Sequence, residues 1–159
     1  MNKTPSFKQL LSHPVHFLAF GFGSGLAKKA PGTFGTLAAV PIYYLLVQYL
    51  PNWYLELMLL VIVAGVWVCG KTAKDIGVHD HGGIVWDEIA GFLLTLYWVT
   101  FSWQNALLGF VLFRFFDIVK PWPIGWLDRQ VGGGLGIMLD DIVAGLMAAA
   151  CLQLIVQFV

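Results

Sequence analysis

Long strongly apolar stretches of this chain contain no Lys, Arg, Asp or Glu, among them residues 30–55 (26 residues), 57–70 (14), 89–113 (25) and 142–159 (18). A helix of about 20 apolar residues crosses a bilayer core. A soluble domain with runs of this kind would expose large apolar patches, which soluble proteins avoid. Composition agrees: 58% of residues are apolar and only 11% charged, against about a quarter charged in a typical soluble domain. With 159 residues there is room for one domain, 1–159, and no second core. The expectation is an all-α, polytopic membrane helix bundle.

Turn and breaker residues divide the runs into about five short transmembrane helices, at 37–50, 53–71, 86–101, 106–119 and 139–158. Two readings of residues 89–113 compete: a hairpin broken at 102–105, or one tilted helix. The hairpin is preferred, because Ser102, Gln104 and Asn105 are costly at mid-bilayer. Fourteen uncharged residues make only roughly 21 Å of helix, so each span must extend about a turn into its charged end. Residues 1–19 read as an amphipathic surface segment, with Phe7, Leu10, Leu11 and Val15 near helical spacing, and lack the apolar core of a cleaved signal peptide. Residues 20–36, FGFGSGLAKKAPGTFGT, form a Gly-rich cytoplasmic segment that is not a regular helix throughout. Cys69 and Cys151 sit inside apolar runs and read as buried thiols.

Every Lys, Arg, Asp and Glu except Glu56 then falls on one side of the bundle. Cationic loops stay cytoplasmic, which places the N-terminus and the charged ends inside. Zero net charge and the lack of a basic stripe give no argument for a nucleic-acid partner.

On that charged side stand Asp87-Glu88, Asp117 and Asp140-Asp141, beside Arg114, Lys120 and Arg129. Ionised groups next to hydrocarbon are expensive and mark functional sites by default. Five carboxylates in one place repel unless cations or protons neutralise them. Hard oxygen ligands of this kind suit Mg2+, so Asp87, Glu88, Asp117, Asp140 and Asp141 are candidate metal ligands. Helix capping by either acidic pair, and a plain ion pair at Arg114, Asp117 and Lys120, are the alternatives. Helical spacing puts Gly91 and Thr95 in line with Asp87, and Ala144 and Ala148 in line with Asp140, with Gly145 beside Asp141. Small residues let helices approach, so both acidic stripes should face the bundle interior. His79-Asp80-His81 is either a solvated turn or a proton relay. Ser24, Thr33 and Thr36 in the Gly-rich segment could cradle a phosphate, and Trp122 and Trp126 read as an interfacial belt.

Four strings carry a family resemblance: GFGSGL with APGTFGTLAA (residues 21–39), TAKDIGVHDHGGIVWDEIAGF (72–92), FRFFDIVKPWPIGWLDR (113–129) and GGLGIMLDDIVAG (133–145). Together they resemble the phosphatidylglycerophosphatase A family of bacterial membrane phosphatases. The resemblance implies Mg2+-dependent hydrolysis of phosphatidylglycerophosphate to phosphatidylglycerol and phosphate, at the cytoplasmic face of the inner membrane, on a phospholipid that stays in the bilayer. Read on these residues, that reaction gives an expected catalytic set of Asp87, Glu88, Asp117, Asp141, His79 and Asp80, with His79 or Asp80 as proton donor to the leaving group. Phosphate binding falls to Ser24, Thr33, Thr36, Arg114, Lys120 and Arg129. Attack by water and an aspartyl-phosphate route are both compatible with these residues. A small transporter and a CDP-alcohol transferase are the competing classes; the first would place its acids at the midplane rather than at helix ends.

Overall fold

The computed structural model describes residues 4–78 and 81–158. Among these the chain is helical, with no strand: α1 (Phe7–Leu11), α2 (Pro14–Ala19), a 3-10 turn (Gly21–Leu26), α3 (Pro31–Tyr49), α4 (Tyr54–Ile76), α5 (Trp86–Leu96), α6 (Trp103–Val119), α7 (Ile124–Gln130) and α8 (Gly133–Phe158).

α5 is the axis of the bundle, packed against α3, α4, α6 and α8. All of its residues except Glu88 are buried. Two polar side chains of the α4–α5 pair fix its register: Tyr54 Oη donates to Leu93 O (2.8 Å) and Trp86 Nε1 to Val61 O (2.9 Å). A buried Tyr or Trp with its one polar atom satisfied adds direction to a large apolar contact.

The outer faces are apolar instead of polar. On α6, Leu107, Val111, Phe115 and Ile118 form one exposed stripe; on α4, Leu55, Leu59, Val63 and Trp67 form another. Two segments, Pro51–Ile76 and Gly133–Phe158, are long and apolar enough to cross a membrane, and only 28% of the most apolar part of the first is buried in the protein. A core helix of a soluble protein would be covered, so these faces call for a hydrocarbon solvent.

Helix positions follow the sequence expectation, but several ends differ. Residues 89–113 do form a hairpin: α5 ends at Leu96 and α6 starts at Trp103. The polar residues make the break. Ser102 caps α6 by accepting from the Asn105 N–H (3.0 Å), and Asn105 Nδ2 donates to Thr100 O (2.8 Å). The segment expected at 86–101 is thus an 11-residue helix, roughly 16 Å long, too short to cross a bilayer alone. α3 begins at Pro31, the first helical position, where a missing N–H costs nothing. The second half of the Gly-rich segment is therefore helix. α8 begins at Gly133, before the expected 139. At the N-terminus, Ser6 and Gln9 form a capping box on α1. α2 is tied to α4 by His16, whose Nδ1 lies 2.9 Å from Thr72 Oγ1 and whose Nε2 lies 3.4 Å from Asp75. Leu10 is buried, while Phe7 and Leu11 remain exposed.

Candidate active site

The start of α5 is held by the N-terminal segment, through the Val85 N–H bond to Ala19 O (2.8 Å). Asp87 and Glu88 occupy its first turn, where unpaired N–H groups and the helix dipole favour negative charge. Asp140 and Asp141 have no such help: the first turn of α8 holds no acid, and both residues lie about two turns in. Capping therefore does not account for the second pair.

Glycines bring the two pairs together. A Cβ on Gly145 would meet Gly91 O at 2.6 Å, and one on Gly91 would meet Asp141 O at 2.8 Å. α5 and α8 thus touch backbone to backbone, and Thr95 Oγ1 donates to Gly91 O (2.9 Å) beside the crossing. The small-residue stripes face inward as their spacing indicates. Asp87, Glu88 and Asp141 each offer an oxygen within 4.8 Å of the others.

Asp117 lies within electrostatic reach of Glu88, Asp140 and Asp141, and Asp140 within reach of Asp117 and Asp141, so both adjoin the trio. Arg114 ion-pairs with Asp117 and lies 3.8 Å from Glu88. Lys120 ion-pairs with Asp140 and reaches Asp128 Oδ1 at 3.2 Å. Burial pulls the Lys120 ammonium pKa down, but the bonds to Asp140 and then Asp128 outweigh it and leave it raised. Two cations face five carboxylates, so three negative charges are left over if all are ionised. Asp87 Oδ1, Glu88 Oε2, Asp140 Oδ1 and Asp141 Oδ2 are buried with no hydrogen-bond partner among the described residues. Unpaired buried oxygens are expensive, and an all-oxygen, anionic set of this kind fits a hard divalent cation.

The other candidate residues divide. Thr33 lies in the first turn of α3. Thr36 is fully buried and donates to Gly32 O (2.9 Å), so its proton serves the helix. Ser24 Oγ is buried without a partner among the described residues. Arg129 is exposed, donates from Nε to Gly125 O (2.8 Å), and pairs with none of the carboxylates. His79 and Asp80 lie outside the described residues; His81 Nδ1 accepts from the Gly83 N–H (3.0 Å).

Gly32 is the site residue that sequence reasoning missed. A Cβ there would collide with Glu88 Oε1 and approach Arg114 Nη1 to 3.0 Å. The start of α3 is thereby packed directly onto the Glu88–Arg114 pair. The available signal was Pro31-Gly32 at a helix start, because glycine inside a helix costs about 1 kcal/mol and calls for a packing reason.

Fold and site define a helical protein with apolar outer faces and a buried, cation-fitting carboxylate centre at one end. The phosphatidylglycerophosphatase A family model matches residues 17–156. The phosphatidylglycerophosphatase A of Escherichia coli (strain K12) is 54% identical over 91% of this chain and 85% of its own length. That of Haemophilus influenzae is 46% identical over 91% of this chain and 90% of its own. No solved structure matches. The chain belongs to the phosphatidylglycerophosphatase A family, and is a phosphoric monoester hydrolase.

Proposed function

We propose that this protein hydrolyses phosphatidylglycerophosphate to phosphatidylglycerol and phosphate with Mg2+ held by Asp87, Glu88 and Asp141. The observation that carries this reading is the trio of carboxylates within 4.8 Å, each with a buried oxygen that has no protein partner, in a chain of this family. When bound, Mg2+ supplies charge neutralisation for the phosphate oxygens and acidifies a coordinated water.

The protein's own groups do the rest. Arg114, part-buried between Glu88 and Asp117 with Nε unpartnered among the described residues, supplies the guanidinium that donates to a phosphate oxygen. Asp117 orients that guanidinium. Lys120 pairs with Asp140 and keeps its charge beside the trio compensated. Gly32 leaves room at the first turn of α3 for Glu88 Oε1 and the Arg114 guanidinium to pack against the helix backbone. Protonation of the leaving glycerol oxygen is assigned to His79 or Asp80. Five spans, the four long helices and a short central α5 sheathed by them, would set this site at the cytoplasmic membrane face, with acyl chains reaching it laterally. The apolar outer stripes and the confinement of Glu56 to the opposite end support that placement.

The test is phosphate release from phosphatidylglycerophosphate by detergent-purified protein, with Mg2+ or EDTA, for wild type and Asp141→Asn. Release that needs Mg2+ and disappears in a folded Asp141→Asn protein is expected. Release that survives EDTA removes the metal from the reading, and no release with any divalent ion removes the substrate.

A further inference from the structure

The segment after α6 and the helix α7 form an open cavity of about 290 Å3 lined by Lys120, Trp122, Gly125, Trp126, Arg129 and Gln130. It is separate from the carboxylate trio but joined to it by one side chain, because Lys120 lines the cavity and also ion-pairs with Asp140. Asp140 and Asp128 occupy the Lys120 ammonium. Arg129 is the cation left for a ligand. Its Nε is fixed on Gly125 O (2.8 Å), and its terminal amino groups have no protein partner among the described residues. A guanidinium anchored this way presents a preset two-pronged donor, the geometry that an oxyanion takes up best. Gly125 keeps the wall thin: a Cβ there would stand 2.8 Å from Lys120 O and 3.7 Å from Arg129 Nη2. Trp122 is 82% exposed and Trp126 55% exposed at the rim. Amphipathic rings of this kind settle at the depth of lipid head groups.

We infer that this cavity is a second anion subsite, which binds the phosphodiester of the lipid head group while the carboxylate centre holds the phosphomonoester. The inference rests on the proposed hydrolysis of phosphatidylglycerophosphate, a lipid whose two phosphates are one glycerol apart. A centre built from five carboxylates can hold only the phosphate that its cation neutralises. The second anion needs a positive group beyond them, and Arg129 is placed there. The diester also stays attached to the diacylglycerol, so its binding place belongs at head-group depth beside the exposed tryptophans.

The test measures kcat and KM for phosphatidylglycerophosphate, and the inhibition constant of inorganic phosphate, in wild type, Arg129→Gln and Arg129→Lys. Arg129→Gln is expected to raise KM tenfold or more with kcat within threefold. Inorganic phosphate, which meets only the monoester centre, should inhibit within twofold of its wild-type constant. Arg129→Lys, which keeps the charge but loses the fork, should give an intermediate KM, so the result does not depend on the Gln variant alone. An unchanged KM overturns the subsite. A parallel rise in KM and in the phosphate constant overturns it too, by placing Arg129 on the reacting phosphate. A wild type that releases nothing from phosphatidylglycerophosphate while hydrolysing another lipid phosphomonoester overturns the underlying reading, and the subsite with it.

Discussion

The two acidic pairs look alike in sequence and are held by different physics. Asp87-Glu88 stands in the first turn of a short, covered helix, where the helix itself favours negative charge. Asp140-Asp141 stands two turns into the longest helix, where no free N–H group is available. One member of that second pair is compensated by Lys120, and Asp141 is left with carboxylate neighbours and an unpaired oxygen. On the proposed reading Asp141 is thus the member that relies most on a bound cation.

The most severe way to break this comparison is Asp141→Asn, expected to lower kcat by about 1000-fold, or about 4 kcal/mol of transition-state stabilisation, measured as phosphate release. The same variant sharpens the contrast in EDTA. Its melting temperature should rise more than that of Asp87→Asn, because the charge it removes has no helix end beside it. Next comes the crossing that joins the pairs. Gly145→Val puts a branched side chain against Gly91 O and should cost about 3 kcal/mol by overpacking, read as a lower melting temperature with activity lost in parallel. Saturating Mg2+ should stabilise the wild type by about 2.7 kcal/mol at a hundredfold excess over Kd and leave Asp141→Asn unmoved in a thermal-shift assay. Lys120→Met, which strands Asp140, should cost about 1–3 kcal/mol, and Asp140→Asn in the same chain should recover most of it.

The smallest effect lies outside both pairs. Burial holds the His16 imidazole below its ordinary value of 6.5, against the opposing pull of Asp75. The unfolded chain therefore takes up that proton first, and the stability His16 contributes is present above about pH 6.5 and lost as the pH falls below it. His16→Gln should flatten the melting temperature between pH 7 and pH 5 by a small amount relative to wild type.

Much of this arrangement can be read from residue spacing. Gly91, Thr95 and Gly145 announce a close crossing because a run of small residues at helical period has no other use in an apolar helix. Ser102 and Asn105 announce a break because nothing at mid-bilayer would satisfy them. The beginning of α8 is not legible in the same way. Residues 133–136 are glycine-rich and read as loop, yet they open α8: Gly134 packs against Val66 O of α4, a contact set by the tertiary fold, and Gly136 packs against Val131 O just before the helix. Gly32 is hidden for a related reason: its role is the space it leaves for Glu88. Arg129 and Arg114 carry the same charge in sequence, and only the fold assigns one to the carboxylates and the other to α7.

The covering of α5 by α8 also sets an order of events during synthesis. Asp87 and Glu88 leave the ribosome more than fifty residues ahead of Asp141, and until the last helix arrives α5 has no partner on that flank. A nascent chain at that stage carries two carboxylates on an incomplete wall, a poor passenger for hydrocarbon. Biogenesis would then keep α5 near the aqueous boundary and draw it inward only when α8 docks, so a chain truncated before α8 should be cleared by membrane proteases instead of accumulating as a partly active enzyme.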